Sequence, residues 1–168
     1  FREYRPNGFI DGVATPGGTG GLHHSIYNYL EPGDTVLTMD RYWAAYKSIC
    51  RECGRGFDTF VSFDENNKFN VQGCIDKLRE YAEKQTNVFL VMNTPANNPT
   101  GYNVKRDEWE AIMAELTAIA NNGKNNVVLL LDVAYIDYAA PEAREIFTLF
   151  NDLPENFILL VAYTMSKS

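Results

Sequence analysis

Short apolar runs alternate along this chain with helical stretches, and that alternation admits few folds. Thr35 to Met39, Phe57 to Phe63, Asn87 to Met92, Asn126 to Leu131 and Phe157 to Tyr163 read as strands that are nearly continuous in apolar residues. Between them lie stretches with helical signals: Leu22 to Leu30, Tyr42 to Cys53 closed by Gly54, Asn70 as a cap for a helix to about Gln85, and Lys105 to Ala120. In the last of these, Trp109, Ile112, Met113 and Leu116 share one face. A shorter helix is expected near Glu142 to Phe150. Strands without polar alternation are buried on both faces, and helices between them supply the crossovers of a parallel sheet. The expectation is an α/β fold with three layers, helices covering both faces of a mostly parallel sheet.

In such sheets ligands collect at the carboxyl ends of the strands. Three polar motifs sit at such ends: Asn93 to Gly101, Asp132 to Tyr135, and Thr164 to Lys167. Asn97-Asn98-Pro99-Thr100-Gly101 is a turn by composition, and its position also suits an Asn side chain for binding a phenolic oxygen. Asp132 closes an apolar strand, where a carboxylate is costly unless paired. It reads either as a cap for the next segment or as the partner of a buried cation. Lys167 is a surface ammonium or, at the end of a buried strand, an amine tuned to attack carbonyls. Trp43, just past a strand end, is a core or interface residue or a stacking surface.

Gly17-Gly18-Thr19-Gly20-Gly21 leads into a helix. Glycines let backbone approach an anion, and a helix start offers free N–H groups. The same segment also reads as a plain loop. It lacks the G-K-[ST] ending of a P-loop and the spacing of a dinucleotide fingerprint, which weakens a nucleotide-binding reading.

The net charge of −7, carried by scattered acidic residues, argues for solubility and against a nucleic-acid or anionic-membrane partner. No apolar run is long enough to span a bilayer. Three cysteines suggest free thiols in a reducing compartment, hence the cytoplasm. Cys50 and Cys53 form a C-x-x-C inside a helical stretch with no second pair for zinc, and the adjacent His23 and His24 diverge on a helix, so no metal site is expected. The opening Phe1-Arg2-Glu3-Tyr4-Arg5-Pro6 has neither Met nor a signal-peptide layout and reads as a cut into a longer chain.

Taken together and in order, GGTGG, the aromatic at Trp43, NNPTG, D-V-A-Y and T-M-S-K resemble the class I/II aminotransferases of pyridoxal-phosphate (PLP) fold type I, from about Gly12 to Ser168. The resemblance implies an enzyme that moves an amino group between an L-amino acid and a 2-oxo acid. Lys167 would hold PLP as a Schiff base and then act as base and acid at the substrate. Asp132 would pair with the pyridinium nitrogen, and Tyr135 and Asn98 would donate to the ring's phenolate oxygen. Gly18, Thr19, Gly20 and Thr164, with Ser166 beside the lysine, would hold the phosphate, and Trp43 would stack on the ring.

The family's chains are more than twice as long. Residues 1–168 are therefore expected to form the PLP-binding large domain, without the N-terminal segment, the C-terminal small domain and the arginines that bind phosphate and the substrate carboxylate. Gly17 stands where some relatives carry a serine. The chain alone is expected to show little or no transamination, the full-length protein to be a homodimer, and the chain either to keep part of that interface or to expose apolar surface where the small domain belonged. The motifs hold the cofactor without fixing which bond breaks, so a PLP-dependent lyase or decarboxylase of the same fold is the alternative, as is a non-catalytic sensor or interaction domain.

Overall fold

A computed structural model describes residues 7–167, so the opening Phe1 to Pro6 and the last residue, Ser168, lie outside the described residues. Five strands form one wholly parallel sheet: β1 (Thr35–Met39), β2 (Gly56–Phe60), β3 (Asn87–Asn93), β4 (Asn126–Asp132) and β5 (Phe157–Ala162), in the order β2-β1-β3-β4-β5. Growth of the sheet reverses direction between β1 and β3, and a crevice opens at such a switch point beyond the strand ends.

Alternate residues of each strand feed two cores. Val88, Leu90 and Met92 of β3 pack with α3 (Val71–Lys84), α4 (Arg106–Ala120) and the 3-10 segment Pro141–Phe150 on one face. Phe89 and Val91 pack with α1 (Gly17–Tyr29) and α2 (Ala45–Glu52) on the other. Both faces are therefore covered, as the apolar runs require.

Local signals set the helix ends. Asn70 Oδ1 accepts from Gly73 N–H at the start of α3, and Glu108 reaches back to the Lys105 N–H at the start of α4, each satisfying a donor the helix leaves free. Gly54, at φ +66°, turns the chain out of α2.

Two expectations are corrected. Helix α1 begins at Gly17 rather than Leu22, so the glycine cluster is the first turn of the helix and not a loop ahead of it. The burial of Leu22 and Ile26 against the sheet stabilises enough of the helix to carry the glycines with it. The apolar content of β5 does not mean burial on both faces: only Phe157 is buried, and Val161 is 41% exposed, because β5 is an edge strand here. Phe9, Ile10, Val13 and Met165 are exposed as well.

Candidate active site

Register brings the site together. Asn93 of β3 pairs with Asp132 of β4, and Asp132 with Ala162 of β5, so three strands end level. The loops that leave them open onto one pocket of about 310 Å³. Its walls come from Gly17, Gly18 and Thr19 of α1, Trp43 after β1, and Asn93 and Asn98 after β3. Asp132, Ala134 and Tyr135 after β4 join Thr164, Ser166 and Lys167 after β5. Every residue to which the resemblance assigns a cofactor role lies here except Gly20, whose α-carbon faces Pro16.

Asp132 is the buried charge of this pocket, 7% exposed. Its Oδ2 accepts from the Tyr46 hydroxyl at 2.5 Å and its Oδ1 from the Ala134 N–H at 3.2 Å. Burial pushes its carboxyl above the ordinary value, and the two hydrogen bonds pull against that rise. The Asp132 backbone carbonyl accepts from Asn93 Nδ2 at 2.9 Å, and Asn93 Oδ1 accepts from the Asn98 N–H at 2.6 Å. Asn93 thus fastens the turn that carries Asn98 to the end of β4. Asn98 Nδ2 then donates to the Tyr135 hydroxyl at 3.4 Å, which puts both polar tips on one side of the pocket.

The Lys167 ammonium lies over the Tyr135 ring, 5.9 Å from its centre, and no carboxylate among the described residues pairs with it. Lys167 is exposed, on a 3-10 turn past the half-exposed β5, rather than at the end of a fully buried strand. The Thr164 and Ser166 hydroxyls are 3.0 Å apart and bond each other. A Cβ built on Gly18 would make ordinary van der Waals contact with Thr164 Cβ and Cγ2, at 3.6 and 3.7 Å, so the start of the helix lies close against the Thr164 side chain. A left-handed Gly17, at φ +68°, starts the helix there.

Two contributors were given no role of their own in the sequence. Asn93 reads as a strand terminus, and its bridging role needs the β3–β4 pairing. Tyr46, 1% exposed, reads as one more residue of a helix. Its spacing from Trp43, three residues along the entry to α2, was the available signal: the Tyr46 N–H bonds the Trp43 carbonyl and the two rings meet edge to face at 5.8 Å.

The donor set suits a flat, anionic, carbonyl-bearing ligand. It offers an amine, a buried carboxylate, two polar tips for a ring oxygen, hydroxyls and helix-start amides for an anion, and an indole wall. The cysteines take no part: Cys50, Cys53 and Cys74 are buried, burial pushes Cys50 up to about 12, and no metal-binding cluster occurs among the described residues.

The sequence matches the family model Aminotransferase class I and II over residues 9–168. A histidinol-phosphate aminotransferase of Sulfurisphaera tokodaii is 29% identical over 157 residues, 92% of this chain and 38% of that protein. An aspartate aminotransferase of the same organism is 30% identical over 134 residues, 79% of this chain and 31% of that one. Among solved structures, an aminotransferase of Anaerococcus prevotii has a TM-score of 0.93 at 37% identity, covering 98% of this chain and 41% of that one. An aromatic-amino-acid aminotransferase of Burkholderia pseudomallei, covalently bound to pyridoxal phosphate, shares the fold with a TM-score of 0.73 at 22% identity, over 91% of this chain and 37% of that one. The chain spans less than half the length of each of these proteins.

Proposed function

Since the chain belongs to the aminotransferase class I and II family, we propose that it is the PLP-holding large domain of an enzyme that transfers an amino group between an L-amino acid and a 2-oxo acid. The observation that carries the reading is the convergence of five sequence-distant motifs on one pocket at the carboxyl ends of the strands. When bound, the cofactor supplies a carbonyl for amines and a ring that accepts electrons from the substrate's Cα.

Lys167 would hold the cofactor through its amine and, once the substrate's own amine takes its place and frees it, would take and return a proton at the substrate's Cα. Asp132, ionised and buried, holds a proton on the ring nitrogen. Asn98 and Tyr135 bind the ring oxygen from one side of the pocket. The Gly18 and Thr19 amides at the start of α1, with the hydroxyls of Thr164 and Ser166, bind the phosphate. Trp43, on the pocket wall, would offer a flat apolar face to the ring and exclude water from it.

The residues that read the substrate's side chain are placed mostly outside residues 1–168, which span 38% and 41% of two relatives' lengths. The 168-residue chain alone then lacks substrate positioning and turns over little. A homodimer in the cytoplasm fits the family and the free, buried thiols; among the described residues no helix is long and apolar enough to cross a membrane.

The test is an absorbance spectrum of the full-length protein with PLP, before and after borohydride, beside Lys167→Ala. A visible band fixed by borohydride and lost in the variant is expected. No band in the wild type would discard the assignment. Product analysis then separates transamination, giving a 2-oxo acid and aminated cofactor, from release of ammonia or carbon dioxide.

A further inference from the structure

Tyr46 stands outside the set that touches the proposed ligand, yet it is tied to two members of it. Its hydroxyl bonds Asp132 Oδ2, and its ring meets that of Trp43 edge to face. Both ties come from one local fact. The chain enters α2 with the Tyr46 N–H on the Trp43 carbonyl, and three residues apart the two side chains lie on one face, Trp43 on the pocket wall and Tyr46 buried beside it. Tyr46 is 1% exposed, so its bond to Asp132 is shielded from bulk solvent.

We propose, resting on the functional reading above, that Tyr46 is a positioning residue: its hydroxyl holds Asp132 ionised and oriented toward the pocket, while its ring sets the tilt of Trp43. Asp132 and the ring nitrogen would share one proton, and which of them keeps it depends on how strongly each attracts it. A donor on Oδ2 lowers the attraction of the carboxylate and leaves the proton on the ring. Burial and the neighbouring Asp132 hold the Tyr46 hydroxyl well above its usual range, so it stays a donor across the working pH of an enzyme. The Ala134 N–H bonds the other oxygen at 3.2 Å, longer than the Tyr46 bond, and cannot replace it. The arrangement makes one residue responsible for both the edge and the face of the bound ring.

The experiment uses full-length protein loaded with PLP carrying ¹⁵N in the ring. Tyr46→Phe keeps the ring packing and removes only the hydroxyl. The expected results are an ¹⁵N shift displaced toward unprotonated pyridine and cofactor binding weaker by about ten- to a hundredfold. In a double-mutant cycle with Asp132→Asn the two losses should be strongly non-additive, because one acts through the other. An unchanged ¹⁵N shift with binding within about twofold of wild type, or losses that simply add, would overturn the inference. Should Tyr46→Phe fail to fold, 3-fluorotyrosine at position 46 preserves the packing and donates more strongly. The ring nitrogen signal should then move toward full protonation, and a signal that does not move also overturns the inference. A wild type that takes up no cofactor sinks the functional reading and this inference together; a wild type and Tyr46→Phe that bind it equally sink this inference alone.

Discussion

Tyr46 Oη lies 2.5 Å from Asp132 Oδ2, a bond that joins α2 to the end of β4 across 86 positions of sequence. It compensates only partly for the burial of Asp132, whose carboxyl remains above its ordinary value.

A folded-state carboxyl raised above its unfolded value opposes folding once it ionises. Asp132→Asn should therefore stabilise the cofactor-free protein by about 1 kcal/mol at neutral pH. The gain should vanish as pH falls below about 4, where the unfolded carboxyl is protonated too. Thermal melts of both proteins across that range check the sign, and a variant that is less stable at pH 7 would contradict it. The same substitution should abolish tight PLP binding, a local conflict between stability and function.

Gly17 adopts φ +68° with open space where a Cβ would lie. A serine here would meet no clash but would be strained by its backbone. Gly17→Ser should cost about 1–2 kcal/mol in urea unfolding and loosen the helix start proposed to bind phosphate. A wild-type midpoint would show that the backbone relaxes to φ < 0.

The two tryptophans report on different places. Trp43 is half-buried on the pocket wall and Trp109 is fully buried beside Phe150. PLP should quench the fluorescence of Trp43, so Trp43→Phe should remove most of the cofactor-dependent change at a stability cost of about 1 kcal/mol. Trp109→Ala should instead cost about 3–5 kcal/mol by opening a cavity. Quenching that persists in Trp43→Phe would remove the indole from the cofactor face.

Burial pushes Cys50 up to about 12 and raises Cys53 and Cys74 as well. At pH 8 their thiolate fractions are small and their sulfurs covered, so a disulfide reagent should titrate almost none of them in the native protein and all three after unfolding. Rapid native reaction of the Cys50/Cys53 pair would reopen a redox role for it.

Much of this molecule is legible along the chain. The strand at Thr35 to Met39, the Asn70 cap and the Gly54 stop are local events governed by neighbouring residues, and each occurs where composition and periodicity place it. The glycine cluster was misjudged because local propensity disfavours a helix there, while packing of Leu22 and Ile26 on the sheet favours one. The edge exposure of β5 was hidden for a related reason: apolar content says what a strand can bury, and only sheet order says whether anything covers it.

By itself, the sequence determined the elements, their parallel arrangement and the polar residues that follow each strand, because hydrophobic period and turn chemistry act within a few residues. Only the tertiary structure decided that Asn93, Asp132 and Ala162 end level, that Asn93 ties the Asn98 turn to β4, and that Tyr46 supplies the donor for Asp132. Those relations depend on strand register and on the rotation of α2 against the sheet. Both are set by the packing of two whole cores, so residues far apart in sequence become partners only when the entire sheet has formed.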